Sequence, residues 1–214
     1  MGKAQLFTWV KFILAIIHFV PMVLFSLLLF RIRIKPYWKQ ISVAVLVGAL
    51  LSVINNSPLI SVCIISILLM CVWKYRFVPA LLIALSGYIM PVLISTTVIV
   101  CISLTQDEVY NVMKNDSAIF YVTRLFILLG VVTFLMTLYK RRLGFTFLSH
   151  YTRIPFNREN VGAYLYMIVV IIGMVYRHAF SDNVFSVVMP IQLLSMATIL
   201  FFYVMLSKEL GIQR

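Results

Sequence analysis

Between Phe12 and Phe30 the chain passes no lysine, arginine, aspartate or glutamate. Such a run matches the ~20 apolar residues that cross the hydrocarbon core of a bilayer as a helix. It is the first of several. Apolar segments can be marked over residues 8–30, 41–56, 58–73, 77–104, 119–139, 161–176 and 184–206. Runs this long exclude a porin-like barrel, whose strands alternate apolar and polar residues. They also set the chain apart from a soluble domain, a disordered tail and a coiled coil. Hydrophobic residues make up 63% of the sequence and charged residues 11%, where soluble domains run near ~45–50% and ~25%. At ~20 residues per crossing, 214 residues allow about seven spans and no separate soluble domain. The expected fold is a single all-α unit over 1–214, a polytopic helical transmembrane bundle.

The formal net charge of +12 does not point to nucleic acid, because the basic residues cluster between the apolar stretches, where topology requires them. Arg31, Arg33, Lys35 and Lys39 follow the first segment, and Lys74 and Arg76 follow the third. Lys140, Arg141, Arg142, Arg153 and Arg158 follow the fifth, and Lys208 and Arg214 close the chain. The alternate connections hold Asn55 and Asn56, then Asp107, Glu108, Lys114 and Asp116, then Arg177 and Asp182. Every connection alternates as the positive-inside rule demands, which predicts an outer N-terminus and a cytoplasmic C-terminus in a cell membrane, most simply a bacterial plasma membrane. Lys3 and Lys11 fit snorkelling at the outer interface. The first run is too long for a cleavable signal, and no small-residue cleavage site precedes Arg31.

Details of the segments carry further expectations. Asn55-Asn56-Ser57-Pro58 is a turn signal, so the short second and third segments read as a tight hairpin. Pro79, Gly87 and Pro91 predict a fourth segment kinked or partly unwound in its middle. Trp38, Trp73, Tyr75, Tyr139 and Tyr151 lie near the basic side as an interfacial belt. No internal repeat of the transporter kind is found.

Catalytic signatures are missing where they would be needed. His18, His150 and His178 are too scattered for a His-Glu-x-x-His zinc site, and no glutamate lies within a span. Cys63, Cys71 and Cys101 sit in apolar stretches, have no activating histidine on their own or adjacent segments, and serve as small apolar residues. Ser86-Gly87 lacks a histidine partner. The chain therefore reads as no enzyme, with no cofactor and no metal. Asn115-Asp116-Ser117 matches a glycosylation pattern incidentally.

Polar groups inside spans are costly and mark binding sites by default. His18 reads as a packing histidine of the first span, with a ligand or pH-sensing contact as the alternative. Arg124, Arg177 and Gln192 all fall in the outer half, so they are expected to face an outer ligand-binding cavity between the last three spans, with Asn55 and Asn56 at its rim. On the other side, KRRLGFTFLSHYTRIPFNREN mixes basic and aromatic residues and reads as an inner-leaflet anchor or a docking surface. The last segment runs through FFYVMLSKELGIQR without a breaker before Gly211, which predicts one helix from near Asn183 to about Leu210, projecting past the bilayer by one to two turns.

RIRIKPYWKQ after the first span and LSKELGIQR at the end are the stretches on which the chain resembles the N-terminal, multi-span sensor unit of Gram-positive sensor histidine kinases of the peptide-pheromone receptor type. The resemblance implies an outer N-terminus, a last span extending as a signalling helix, and an extracellular or membrane-partitioned ligand, a peptide by preference. The family's phosphoacceptor histidine and ATP-binding domain have no counterpart in these residues, so a two-component kinase core would be a partner. The partners expected are the lipid bilayer, that core or another membrane protein, and a second copy in a homodimer. An accessory subunit of a membrane complex and a small-solute transporter subunit are the competing functions.

Overall fold

The structure is a computed structural model that describes residues 3–54, 57–105, 117–146, 148, 154–179 and 185–212. Among these, seven α-helices and no strand are present. They are α1 (Lys3–Leu29), α2 (Trp38–Ile54), α3 (Pro58–Trp73), α4 (Phe77–Thr105), α5 (Ser117–Arg141), α6 (Val161–Ala179) and α7 (Phe185–Ile212). Each expected segment is helical, usually for a few residues beyond the hydropathy limits. Among the described residues, four stretches are long and apolar enough to cross a membrane: Phe12–Leu29, Lys35–Val53, Phe77–Val98 and Leu193–Gly211. At 1.5 Å per residue, the 16 residues of α3 reach about 24 Å, less than the ~30 Å apolar thickness. That shortness suits one arm of a tight hairpin.

The fourth helix is the hub. It packs on α1, α3, α5, α6 and α7, and 61% of its Phe77–Val98 stretch is buried, against 22–39% for the other three long apolar stretches. Close approach is possible because the crossing with α1 is lined by small residues. A Cβ added at Gly87 would lie 1.7 Å from the Ser26 Oγ and 2.7 Å from the Met22 carbonyl oxygen. Gly48 of α2 similarly admits the Phe19 ring, whose atoms would stand 2.5 Å from an added Cβ. The outward faces are apolar as well: Ile199 is 70% exposed and Val43 60%. Water disfavours such surfaces and hydrocarbon accepts them.

Buried hydroxyls are satisfied locally. Ser26, Ser66 and Ser86 donate to the carbonyls of Met22, Val62 and Leu82 at 2.9, 2.8 and 2.7 Å. Tyr166 of α6 then reaches across to the Ser86 hydroxyl at 3.3 Å.

One expectation is corrected here. The middle of α4 is not unwound: one α-helix runs from Phe77 to Thr105 through Pro91. Pro79 falls in its first turn, where a missing N–H leaves no helical bond unmade. Beyond Pro91, the hydroxyls of Ser95 and Thr96 both donate to the Val92 carbonyl at 2.8 Å. The residues expected to form an interfacial belt differ in exposure. Trp38 and Tyr139 are each 60% exposed, but Tyr75 is buried and Trp73 packs edge-on against Tyr37 with centroids 5.1 Å apart. These two rings turn inward because the chain reverses there through Lys74, which folds the connection back onto α3. Tyr151 lies outside the described residues.

Candidate functional site

The ends of α1, α3, α5 and α7 gather on the basic side with the starts of α2, α4 and α6. Three of those helices stop in the same way. Arg31, Lys74 and Arg142 adopt left-handed backbone with φ of 51°, 55° and 50°, the conformation usually given to glycine. The Ile32 N–H donates to the Leu27 carbonyl at 2.8 Å, and the Leu143 N–H to the Leu138 carbonyl at 3.2 Å. Both are the six-residue closure of a Schellman cap. After α3, the N–H groups of Lys74 and Tyr75 converge on the Leu69 carbonyl. A left-handed non-glycine residue costs about 1 kcal/mol. A cation beside the negative end of a helix returns ~0.3–1 kcal/mol, so basic residues are tolerated where glycine would be easier.

The described residues that follow α5, 142–146, form a strap against the end of α1. Gly144 permits close contact with α1, since a Cβ there would meet the Leu29 carbonyl oxygen at 2.7 Å. The Phe145 N–H donates to that same carbonyl at 2.7 Å. The Phe145 ring lies 6.2 Å from Phe30 and 5.9 Å from Phe201, and Phe201 lies 5.7 Å from Tyr166. An aromatic chain thus links α1, the strap, α7 and α6. Leu148 is buried, while Phe156 is 79% exposed and stacks edge-on with Tyr164 at 5.1 Å. Of the described aromatic residues of this stretch, Phe145 thus packs into the bundle and Phe156 lies at the surface.

Two polar links tie the connection after α5 to the last turns of α7. The Glu209 carboxylate accepts from the Thr146 N–H at 3.0 Å and from its hydroxyl at 2.7 Å. Lys208 donates through Nζ to the Asn160 amide oxygen. Asn160 is buried, and its amide nitrogen donates to the Pro155 carbonyl at 2.7 Å. The Tyr164 hydroxyl donates to the Ile154 carbonyl at 2.7 Å, which pins the far end of that connection to α6. A carboxylate near a helix C-terminus opposes the macrodipole, and the Thr146 donors offset that cost. The last helix is continuous through Gly211 to Ile212, as its sequence leads one to expect. Its end is docked on Thr146 and Asn160.

Between α6 and α7, beside these links, lies a groove of about 530 Å³. No group of His, Cys, Asp or Glu suited to a metal ion occurs among the described residues. Cys63, Cys71 and Cys101 are exposed on their helices, and His18 lies on the exposed face of α1.

The outer cavity anticipated from sequence involves other positions. Arg124, Arg177 and Gln192 belong to α5, α6 and α7 by their backbones, but their side chains lie outside the described residues, as do Asn55 and Asn56 altogether. Arg177 and Gln192 occupy the ends of α6 and α7 remote from the strap. Sequence reasoning missed Thr146 and Asn160. The available signal was Glu209, an acid stranded at a helix end on the basic side and in want of a donor. Compared with known protein families, curated proteins and solved structures, the chain matches none.

Proposed function

We propose that this chain is a membrane-embedded sensory unit with seven spans, an outer N-terminus and a cytoplasmic C-terminus. It binds an extracellular or membrane-partitioned ligand, a peptide in view of the resemblance, on the side where Arg124, Arg177 and Gln192 lie. Its output leaves through the end of α7. The observation that supports this best is the docking of that end: one helix reaches from Phe185 to Ile212, and its last turns are held by Thr146 and Asn160. A rigid element with a small number of breakable contacts at one end is what a two-state relay requires. Moving α7 means either carrying the strap along or releasing it.

The test is a fusion of a histidine-kinase core behind Arg214, assayed for autophosphorylation in vesicles. One to four alanines are inserted after Ile212, beyond the docked turn. A relay through α7 gives activity that rises and falls with the helical repeat of 3.6 residues, and Glu209→Gln shifts the basal level. Activity indifferent to both insertion length and Glu209 would end the sensory reading.

A further inference from the structure

The groove between the start of α6 and the end of α7 is the described cavity that combines volume, charge and an apolar wall. It encloses about 530 Å³ and is lined by Arg158, Gly162, Tyr203, Ser207, Lys208 and Gly211, with Ala163 and Val204 behind them. We propose that it is a binding site for the headgroup of an anionic phospholipid of the phosphatidylglycerol class, taken from the leaflet on the basic side. This rests on the membrane placement proposed above, and extends it to a specific lipid site.

Charge complementarity selects the occupant. Arg158 and Lys208 approach the groove from different elements, the 3-10 turn Arg158–Asn160 and the α7 helix. None of the described side chains that line the groove is a carboxylate. The partner that Lys208 holds is the neutral Asn160 amide, which leaves its charge uncompensated by that contact. The Glu209 carboxylate next to it in sequence is engaged with Thr146. A phosphate diester matches two cations, because each offers charge-assisted hydrogen-bond donors to anionic oxygens. The Ser207 hydroxyl, which also lines the groove, donates its one proton to the Val204 carbonyl at 3.0 Å.

The apolar side of the site selects a lipid over free phosphate. Tyr203 is 67% exposed and Ile199, one turn earlier on α7, is 70% exposed. Together they continue the groove wall into the outward apolar face of the helix. A headgroup seated between Arg158 and Lys208 can therefore leave its acyl chains along α7 without crossing polar surface. Gly162 keeps the floor open: an added Cβ would already touch Val204 at 3.1 Å. Gly211 at the rim has nothing within 4 Å of an added Cβ, so the mouth is wide at that end.

The experiment uses the full chain in nanodiscs of phosphatidylcholine, with phosphatidylglycerol added as the probe and lipid retention read by native mass spectrometry. Selective retention of phosphatidylglycerol is expected. Arg158→Gln with Lys208→Gln lowers that selectivity by more than about tenfold, through the loss of two charge-assisted contacts at one site. Lys39→Gln with Arg76→Gln, which removes two exposed cations of the same side, leaves it unchanged. Gly211→Leu keeps both charges, suits a helix, and fills the rim, so it lowers retention without touching Lys208 or its Asn160 contact. It therefore keeps the proposal testable if the double variant does not fold. An equal loss in the Lys39/Arg76 control would mean diffuse attraction and overturn the site. Inorganic phosphate displacing phosphatidylglycerol at millimolar concentration would overturn the lipid assignment, as would Gly211→Leu without effect. The readout is lipid binding and not signalling, so it can fail while the α7 insertion phase holds, and the reverse.

Discussion

Glu209 and Thr146 stand 63 positions apart, and the carboxylate of one takes both hydrogen-bond donors of the other, backbone and hydroxyl, at 3.0 and 2.7 Å. That bidentate contact joins the last turn of α7 to the strap that crosses α1. Both residues are accessible to solvent, so screening holds its net worth to about 1 kcal/mol. A double-mutant cycle of Glu209→Gln and Thr146→Val should give a coupling of that size in thermal unfolding. Strict additivity would mean that the contact contributes nothing.

The crossing of α1 and α4 has no spare volume. Gly87→Ala should destabilise the bundle by ~2–3 kcal/mol through overpacking, since the new methyl meets Ser26 and the Met22 carbonyl oxygen. Adding Ser26→Ala should restore only part of the loss, because the Met22 carbonyl and the Cβ at position 26 remain. Denaturation in detergent checks both. Full tolerance of Gly87→Ala would contradict the close approach.

The left-handed caps predict an inverted order of substitutions. At Lys74 and Arg142, glycine should be better tolerated than alanine by about 1 kcal/mol, since only glycine escapes the Cβ clash of this conformation. Elsewhere in a helix alanine is the better residue. Melting temperatures of the four variants decide the matter.

Burial raises the Tyr75 phenol above its ordinary value near 10, since the anion is disfavoured away from water. The stabilisation linked to the neutral phenol is therefore complete below the unfolded value. It is lost as pH rises through the higher folded one. Tyr75→Phe should show a constant stability offset from the native chain at neutral pH. Above pH ~10 the offset should drift in favour of phenylalanine. A parallel pH series for the two proteins would remove the claim.

The proposed topology is checked by cysteine labelling after Cys63, Cys71 and Cys101 are replaced by alanine. A membrane-impermeant reagent should reach Asp107→Cys and Asp182→Cys from outside and miss Arg141→Cys. The reverse pattern would invert the orientation drawn from the basic connections.

The helices and their approximate limits were legible in the sequence, because a bilayer span needs a contiguous apolar run and each connection announces itself by charge or a turn signal. Pro58 opening α3 and the basic residues closing α1, α3 and α5 are examples. The packing order was not legible. Most of the helices are apolar all round, so periodicity does not say which face packs against protein and which faces outward. Only the fold shows that Gly87 sits against Ser26 and that α4 is the hub. The same holds for the site. Polar residues within the spans drew attention to Arg124, Arg177 and Gln192, since isolated polarity in an apolar run is a local signal. The partnerships Thr146–Glu209 and Asn160–Lys208 span 63 and 48 positions. They follow from where the strap lands after α1, α5 and α7 have packed, and tertiary structure alone decided them.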